Sequence, residues 1–131
     1  WGVLVREDSE LASRERVSPA DLASVPLILP EREIVQNELL NWFGPYAEGL
    51  RITATGNLLY NLASLARASG GSVLTLNLDC TYEGLRFIPL SPPLESNTVL
   101  VWKKTQTFSA AAAALIEFSE KYISGMEQNL I

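Results

Sequence analysis

Few side chains in this sequence stand where they could do covalent chemistry. There is no histidine, so neither a Ser-His-Asp nor a Cys-His mechanism can be assembled within the chain. The single cysteine, Cys80, follows Asp79 and has no basic neighbour in sequence, which points to an inert thiol. Glu31, Glu33 and Glu38 put carboxylates on or near one helix, but acid–base work needs two carboxyls in contrasting environments, and the pattern supplies none. Gly70-Gly71 follows a helix rather than preceding one, so it ends a helix and does not cradle a phosphate. Metal-ligand spacings are missing too. The expectation is a binding module: not an enzyme, with no metal and no cofactor.

Binding chemistry is legible at two strand-to-helix junctions, Leu29-Pro30-Glu31-Arg32 and Thr55-Gly56-Asn57. Where a helix begins after a parallel strand, unpaired backbone N–H groups and the helix dipole favour an anionic or strongly polar ligand. The expected binding residues are therefore Pro30, Glu31 and Arg32, then Thr55 and Asn57, with Ser72 third. Arg32 could clamp a carboxylate through two parallel hydrogen bonds unless Glu31 or Glu33 neutralises it. The plainer reading of the same residues is that Asn57 caps its helix and Glu31-Arg32-Glu33 is a solvated helix start.

The elements that must position these junctions follow from periodicity. Arg51–Thr55 alternates as a strand, and Leu59, Leu62, Ala63 and Ala66 recur at helical spacing within Leu58–Ala68. Ser69-Gly70-Gly71 ends that helix, and Val73–Leu78 reads as a second strand, giving a strand–helix–strand unit with parallel strands. Leu27-Ile28-Leu29, bounded by Pro26 and Pro30, reads as a central parallel strand. Glu31–Phe43 is the helix after it, stopped by Gly44-Pro45. Upstream, Trp1–Arg6 is a strand, and Ser18 caps a short helix with Pro19 at its first position and Asp21 closing a capping box. Downstream come strands Leu85–Leu90 and Thr98–Lys103, the Ala-rich helix Ser109–Ile123 and a tail over 124–131 that is frayed or only loosely docked.

Composition narrows the class. The chain has 131 residues, 47% of them hydrophobic, and 15 acidic against 10 basic side chains give a net charge of −5. Such a piece should not hold a nucleic-acid backbone by charge. No apolar run reaches transmembrane length, so no membrane partner is expected. One cysteine excludes an internal disulfide and fits a reducing, cytoplasmic compartment. Residue 1 is Trp inside a strand-like run, so the chain is expected to be a fragment of a longer protein.

The stretch LASLARASGGSVLTL resembles a segment of LysR-type transcriptional regulators, where an apolar helix runs through a Gly-containing turn into a buried strand. That family's turn is usually Gly-x-Gly and its strand ends in proline; here Ser69-Gly70-Gly71 and Leu76 stand there. Asp8-Ser9-Glu10-Leu11-Ala12 matches the family's Asp-His-Pro-Leu-Ala phrase except at Ser9 and Glu10. Ser18-Pro19-Ala20-Asp21-Leu22 and the strand Pro26–Leu29 follow in the family's order.

The resemblance covers essentially the whole chain. It implies an α/β fold, periplasmic-binding-protein-like of type II. Residues from about 8 to 84 would form a complete second lobe, while 1–7 and 85–131 supply crossover strands and the last strand and helix of the first lobe. The DNA-binding domain would be absent. The implied function is to sense a small-molecule effector between the lobes of a homodimeric or homotetrameric regulator that meets DNA only through its missing N-terminal domain. The alternative is a solute-binding protein of a transporter, which shares the architecture; a prephenate-dehydratase-like enzyme would need a threonine motif not visible here. If the first half of the first lobe is missing, Val99, Leu100, Val101, Leu115, Phe118 and Tyr122 should lie exposed, so that the chain self-associates through these segments or leaves them poorly ordered.

Overall fold

The computed structural model describes residues 1–129. Residues Trp1–Asn97 form one compact unit, and a second begins at Thr98. In the first unit, five strands make one sheet: β1 (Gly2–Arg6), β2 (Pro26–Pro30), β3 (Arg51–Gly56), β4 (Ser72–Thr75) and β5 (Leu85–Pro89). Their spatial order is β3-β2-β4-β1-β5. β2 runs parallel to both β3 and β4, whereas β1 is antiparallel to β4 and β5. β3 and β4 thus run the same way, as the strand–helix–strand pattern requires, but β2 lies between them.

Helices cover both faces, and the alternation of side chains along each strand decides what meets them. Val3, Val5, Leu27, Leu29, Leu74 and Ile88 face one way. They meet Leu22 of α1 (Pro19–Ala23), Leu39 and Phe43 of α2 (Glu33–Phe43), and Leu11 of a 3-10 turn, Glu10–Ser13. Leu4, Ile28 and Val73 face the other way, against Leu62, Ala63 and Ala66 of α3 (Leu59–Ser69). With both faces buried, Leu27-Ile28-Leu29 has no polar position to alternate with. Where β3 pairs with β2, Thr53 is the extra residue of a bulge, and its hydroxyl donates to Leu27 O at 3.2 Å. Gly70 ends α3 in the left-handed region, φ 76°, where glycine carries no Cβ penalty.

The structure alters several element boundaries. β4 stops at Thr75, three residues short of the expected strand; beyond it Asp79 takes φ 52° and its N–H bonds Asn77 Oδ1 at 3.1 Å. Asn57 does not cap α3: the cap position is Leu58, and no side chain bonds there. Thr98–Lys103 is not a strand, because no described residue forms a ladder with it. In the second unit, α4 (Ala110–Asn129) runs past the expected end at Ile123, so 124–129 is helical rather than frayed, which leaves the loosely docked alternative open; residues 130 and 131 lie outside the described residues. Ser109 Oγ accepts from Ala112 N at 3.2 Å at its start. Leu115, Phe118 and Tyr122 are each about 60% exposed or more on this helix, at 61%, 66% and 60%.

The capping box at α1 forms as expected. Ser18 N donates to Asp21 Oδ2 at 2.8 Å, Ser18 Oγ to the same oxygen at 2.7 Å, and Asp21 N to Ser18 Oγ at 3.3 Å. The Ser18 backbone bond, then its hydroxyl, then Arg14 nearby hold the Asp21 carboxyl below its ordinary 3.8. A carboxyl whose folded pKa is depressed contributes stability above its unfolded pKa and loses it as pH falls through the folded value. Ser18→Ala should cost about 1 kcal/mol in urea unfolding near neutral pH. The stability gap between the parent and Asp21→Asn should be constant above pH 5 and close as pH drops below roughly 3.8. A gap independent of pH would show that charge plays no part in the cap.

Candidate functional site

β2 and β3 are adjacent and parallel, yet the helices that leave their carboxyl ends pass to opposite faces of the sheet. A crevice outside the carboxyl ends of the strands is the usual ligand position in an open α/β sheet. Here the crevice lies between Pro30-Glu31-Arg32, entering α2, and Gly56-Asn57, entering α3. Pro30 pairs with Gly56 and Leu29 with Thr55 in the last rungs of the ladder.

One backbone bond and one side-chain bond tie the two junctions together. Glu31 N donates to Gly56 O at 3.0 Å, and Asn57 Nδ2 donates to Glu31 Oε2 at 2.6 Å. Sequence reading missed Gln36, whose Nε2 donates to Pro30 O at 2.7 Å and closes the turn between β2 and α2. A signal existed: a long amide side chain in the first turn of a helix can reach back to orphan groups before it. Arg32 occupies the cap position of α2 without a side-chain bond. Among the described residues it pairs with neither Glu31 nor Glu33. Both α2 and α3 therefore start without a side-chain cap beside the crevice, leaving N–H groups and positive dipole ends toward it.

Five of the six expected residues come together. Glu31, Arg32, Thr55 and Asn57 are exposed and Pro30 is half-buried, all at one end of the sheet. Ser72 is not among them. It is 4% exposed at the start of β4, opposite Leu27, three rungs or roughly 10 Å from Pro30 along parallel strands. The carboxyl end of β4, at Thr75, is the one that lies toward the crevice side.

The crevice is an open ledge, and clefts lie elsewhere on the surface, one of them about 590 Å³ beside Ser9, Arg14 and Asp21. Tyr60, Ser64, Arg67, Thr81 and Tyr82 line a cleft of about 230 Å³ between α3 and the loop before β5. It is below the usual ~300 Å³ of a small-molecule site, and Arg67 Nη1 is spent on Glu83 O at 3.2 Å. Strand-end geometry favours the ledge. Among the described residues there is no cluster of potential metal ligands, and no helix is long and apolar enough to cross a membrane.

The family model described as the LysR substrate binding domain matches residues 1–123. The chain belongs to the LysR substrate binding domain family. The family is one of transcriptional regulators, its domain an α/β fold of the type II periplasmic-binding-protein-like kind, and the transporter reading is not favoured. The chain is similar to the crystal structure of HinK, a LysR family transcriptional regulator from Pseudomonas aeruginosa, with TM-score 0.67 and 20% identity over 92% of this chain and 43% of that one. It is also similar to the C-terminal domain of a probable LysR family transcriptional regulator from Rhodococcus sp. RHA1, with TM-score 0.65 and 22% identity over 89% of this chain and 61% of that one. This LysR-family chain thus spans less than half the length of HinK. No curated protein matches the sequence at a significant level.

Proposed function

We propose that this chain is the effector-sensing part of a cytoplasmic LysR-type transcriptional regulator, supplying one lobe of a two-lobed site and none of the chemistry of an enzyme. The observation that carries the reading is the pair of adjacent parallel strand ends, β2 and β3, each leading to a helix start without a side-chain cap. Its ligand is a small anionic or strongly polar molecule, held by α2's first N–H groups, Arg32 and Asn57, with Gln36 fixing the turn that presents them. Residues 8–84 are the lobe's body; 1–7 and 85–131 pass to and help build the other lobe. That division accounts for the exposed apolar residues of the second unit, including Val99 and Phe118. Effector held between lobes biases their orientation, and a homodimer or homotetramer passes that bias to its DNA-binding domains.

The test uses the full-length regulator and its target promoter, with an effector found by thermal shift across small carboxylates, phosphates and neutral polar metabolites. Arg32→Ala and Asn57→Ala should each raise the effector concentration for half-maximal response about tenfold, the loss of one charge-assisted or polar contact. Promoter binding without effector should stay as in the parent. If both variants respond to effector as the parent does, the ligand binds elsewhere.

A further inference from the structure

Helix α2 joins the crevice at its amino end to a second set of bonds near its carboxyl end. Trp42 Nε1 donates to Pro92 O at 2.8 Å, and its ring meets Phe43 edge-on, centroids 5.0 Å apart. Trp1 Nε1 donates to Ser96 Oγ at 2.7 Å, and that hydroxyl lies 3.5 Å from Glu38 Oε1. Trp1, Trp42 and Leu94 all pack against the core cluster that holds Leu39 and Phe43. The segment so gripped, residues 91–96, has no strand or helix of its own. An irregular surface segment ordinarily gives its backbone groups to water; here two indole donors, each with only one N–H to give, are spent on it.

We propose that Trp42, with Trp1 and Ser96, straps the segment leaving β5 onto α2, so that a displacement of α2 at the crevice also displaces the chain at Ser96. α2 is eleven residues long, a rod of about 16 Å, and Leu39 and Phe43 seat its carboxyl-terminal half in the core. Trp42, Trp1 and Ser96 are positioning residues; none of them lies at the crevice. The strap's functional meaning rests on the effector reading above, because residues 91–96 then lead from the sensing lobe toward the rest of the regulator. It adds a route by which occupancy of the crevice leaves the lobe.

The test is hydrogen exchange by NMR on the 131-residue chain, following the indole N–H of each tryptophan and the amides of residues 94–97. In the parent, the Trp1 and Trp42 indole protons should exchange about tenfold more slowly than that of Trp102. Trp42→Phe keeps an aromatic ring against Phe43 but removes the donor. It should speed exchange at residues 94–97 about fivefold and leave the amides of β2 and β4 unchanged. Ser96→Ala should release the Trp1 indole alone. Asn57→Ala, which cuts the bond to Glu31 beside the amino end of α2, should shift the Trp42 indole resonance; Glu48→Gln should not. Parent-like exchange in Trp42→Phe overturns the strap, and an unmoved Trp42 indole in Asn57→Ala overturns the coupling. Neither result depends on an effector, so the strap can stand or fall apart from the effector titration.

Discussion

Phe43→Ala should remove about 3–5 kcal/mol from the unfolding free energy of the first unit, a large part of what a domain of that size possesses. Phe43 is 1% exposed at the end of α2, in the cluster with Leu27, Leu29, Leu39 and Leu22. Truncation removes transfer energy and leaves a cavity whose walls are β-sheet and two helices, so collapse into it is limited. Edge-on contact with Trp42 is lost as well. Urea unfolding followed by far-UV circular dichroism measures the loss, and the melting temperature should fall by more than 12 °C at about 4–8 °C per kcal/mol. Leu58→Ala serves as the control: Leu58 is 65% exposed, so its change should stay within about 0.5 kcal/mol. A Phe43→Ala variant with parent-like stability would mean that α2 does not seat as described.

Gly2→Val should be nearly as damaging, through overcrowding. Gly2 sits between two strands, paired with Thr75 of β4 and Pro89 of β5. A Cβ there would lie 2.2 Å from Phe87 Cζ and 2.5 Å from Ile88 O. The Phe87 ring tip can swing away, but Ile88 O belongs to the backbone of β5, which cannot move without loosening its ladder with β1. A loss on the order of 3 kcal/mol is expected, with Gly2→Ala only slightly milder. Gly125 is the contrasting case, inside α4 with nothing within 4 Å of an added Cβ. Gly125→Ala should favour its helix by about 0.5–1 kcal/mol, read as increased helical signal. A Gly2→Val chain that unfolds at the parent's urea midpoint would contradict the packing of β1 on β5.

Local chemistry was legible wherever a residue's partner lies within a few positions in sequence. Ser18, Pro19 and Asp21 sit within one turn of each other, and their capping box forms as read. Leu27-Ile28-Leu29 between prolines signals a strand buried on both faces because no alternation survives there. Asn57 shows where such reading ends: its amide goes to Glu31, 26 positions away, and a bond at that distance has no local signature. TVLVWK has strand composition, but a strand exists only through a partner, and composition cannot supply one. Ser72 lies apart from the other five for a related reason. Its place after a glycine turn suggests a loop tip, whereas the parallel alignment of β4 with β2 puts it at the far end of the sheet. The crevice itself was legible as two junctions; that they touch depends on β3 lying next to β2, which no stretch of sequence states alone.

The antiparallel pairing of β1 with β5 has one more consequence. Gly2 lies opposite Pro89, and Leu90 N bonds Trp1 O at 3.1 Å. Residues 1 and 90 of the first unit are therefore neighbours, roughly 5 Å apart as across any antiparallel rung. A globule with such a doorway can be spliced into a single loop of a host protein without prying the host's own strands apart. Removing it leaves a gap that two or three residues can close.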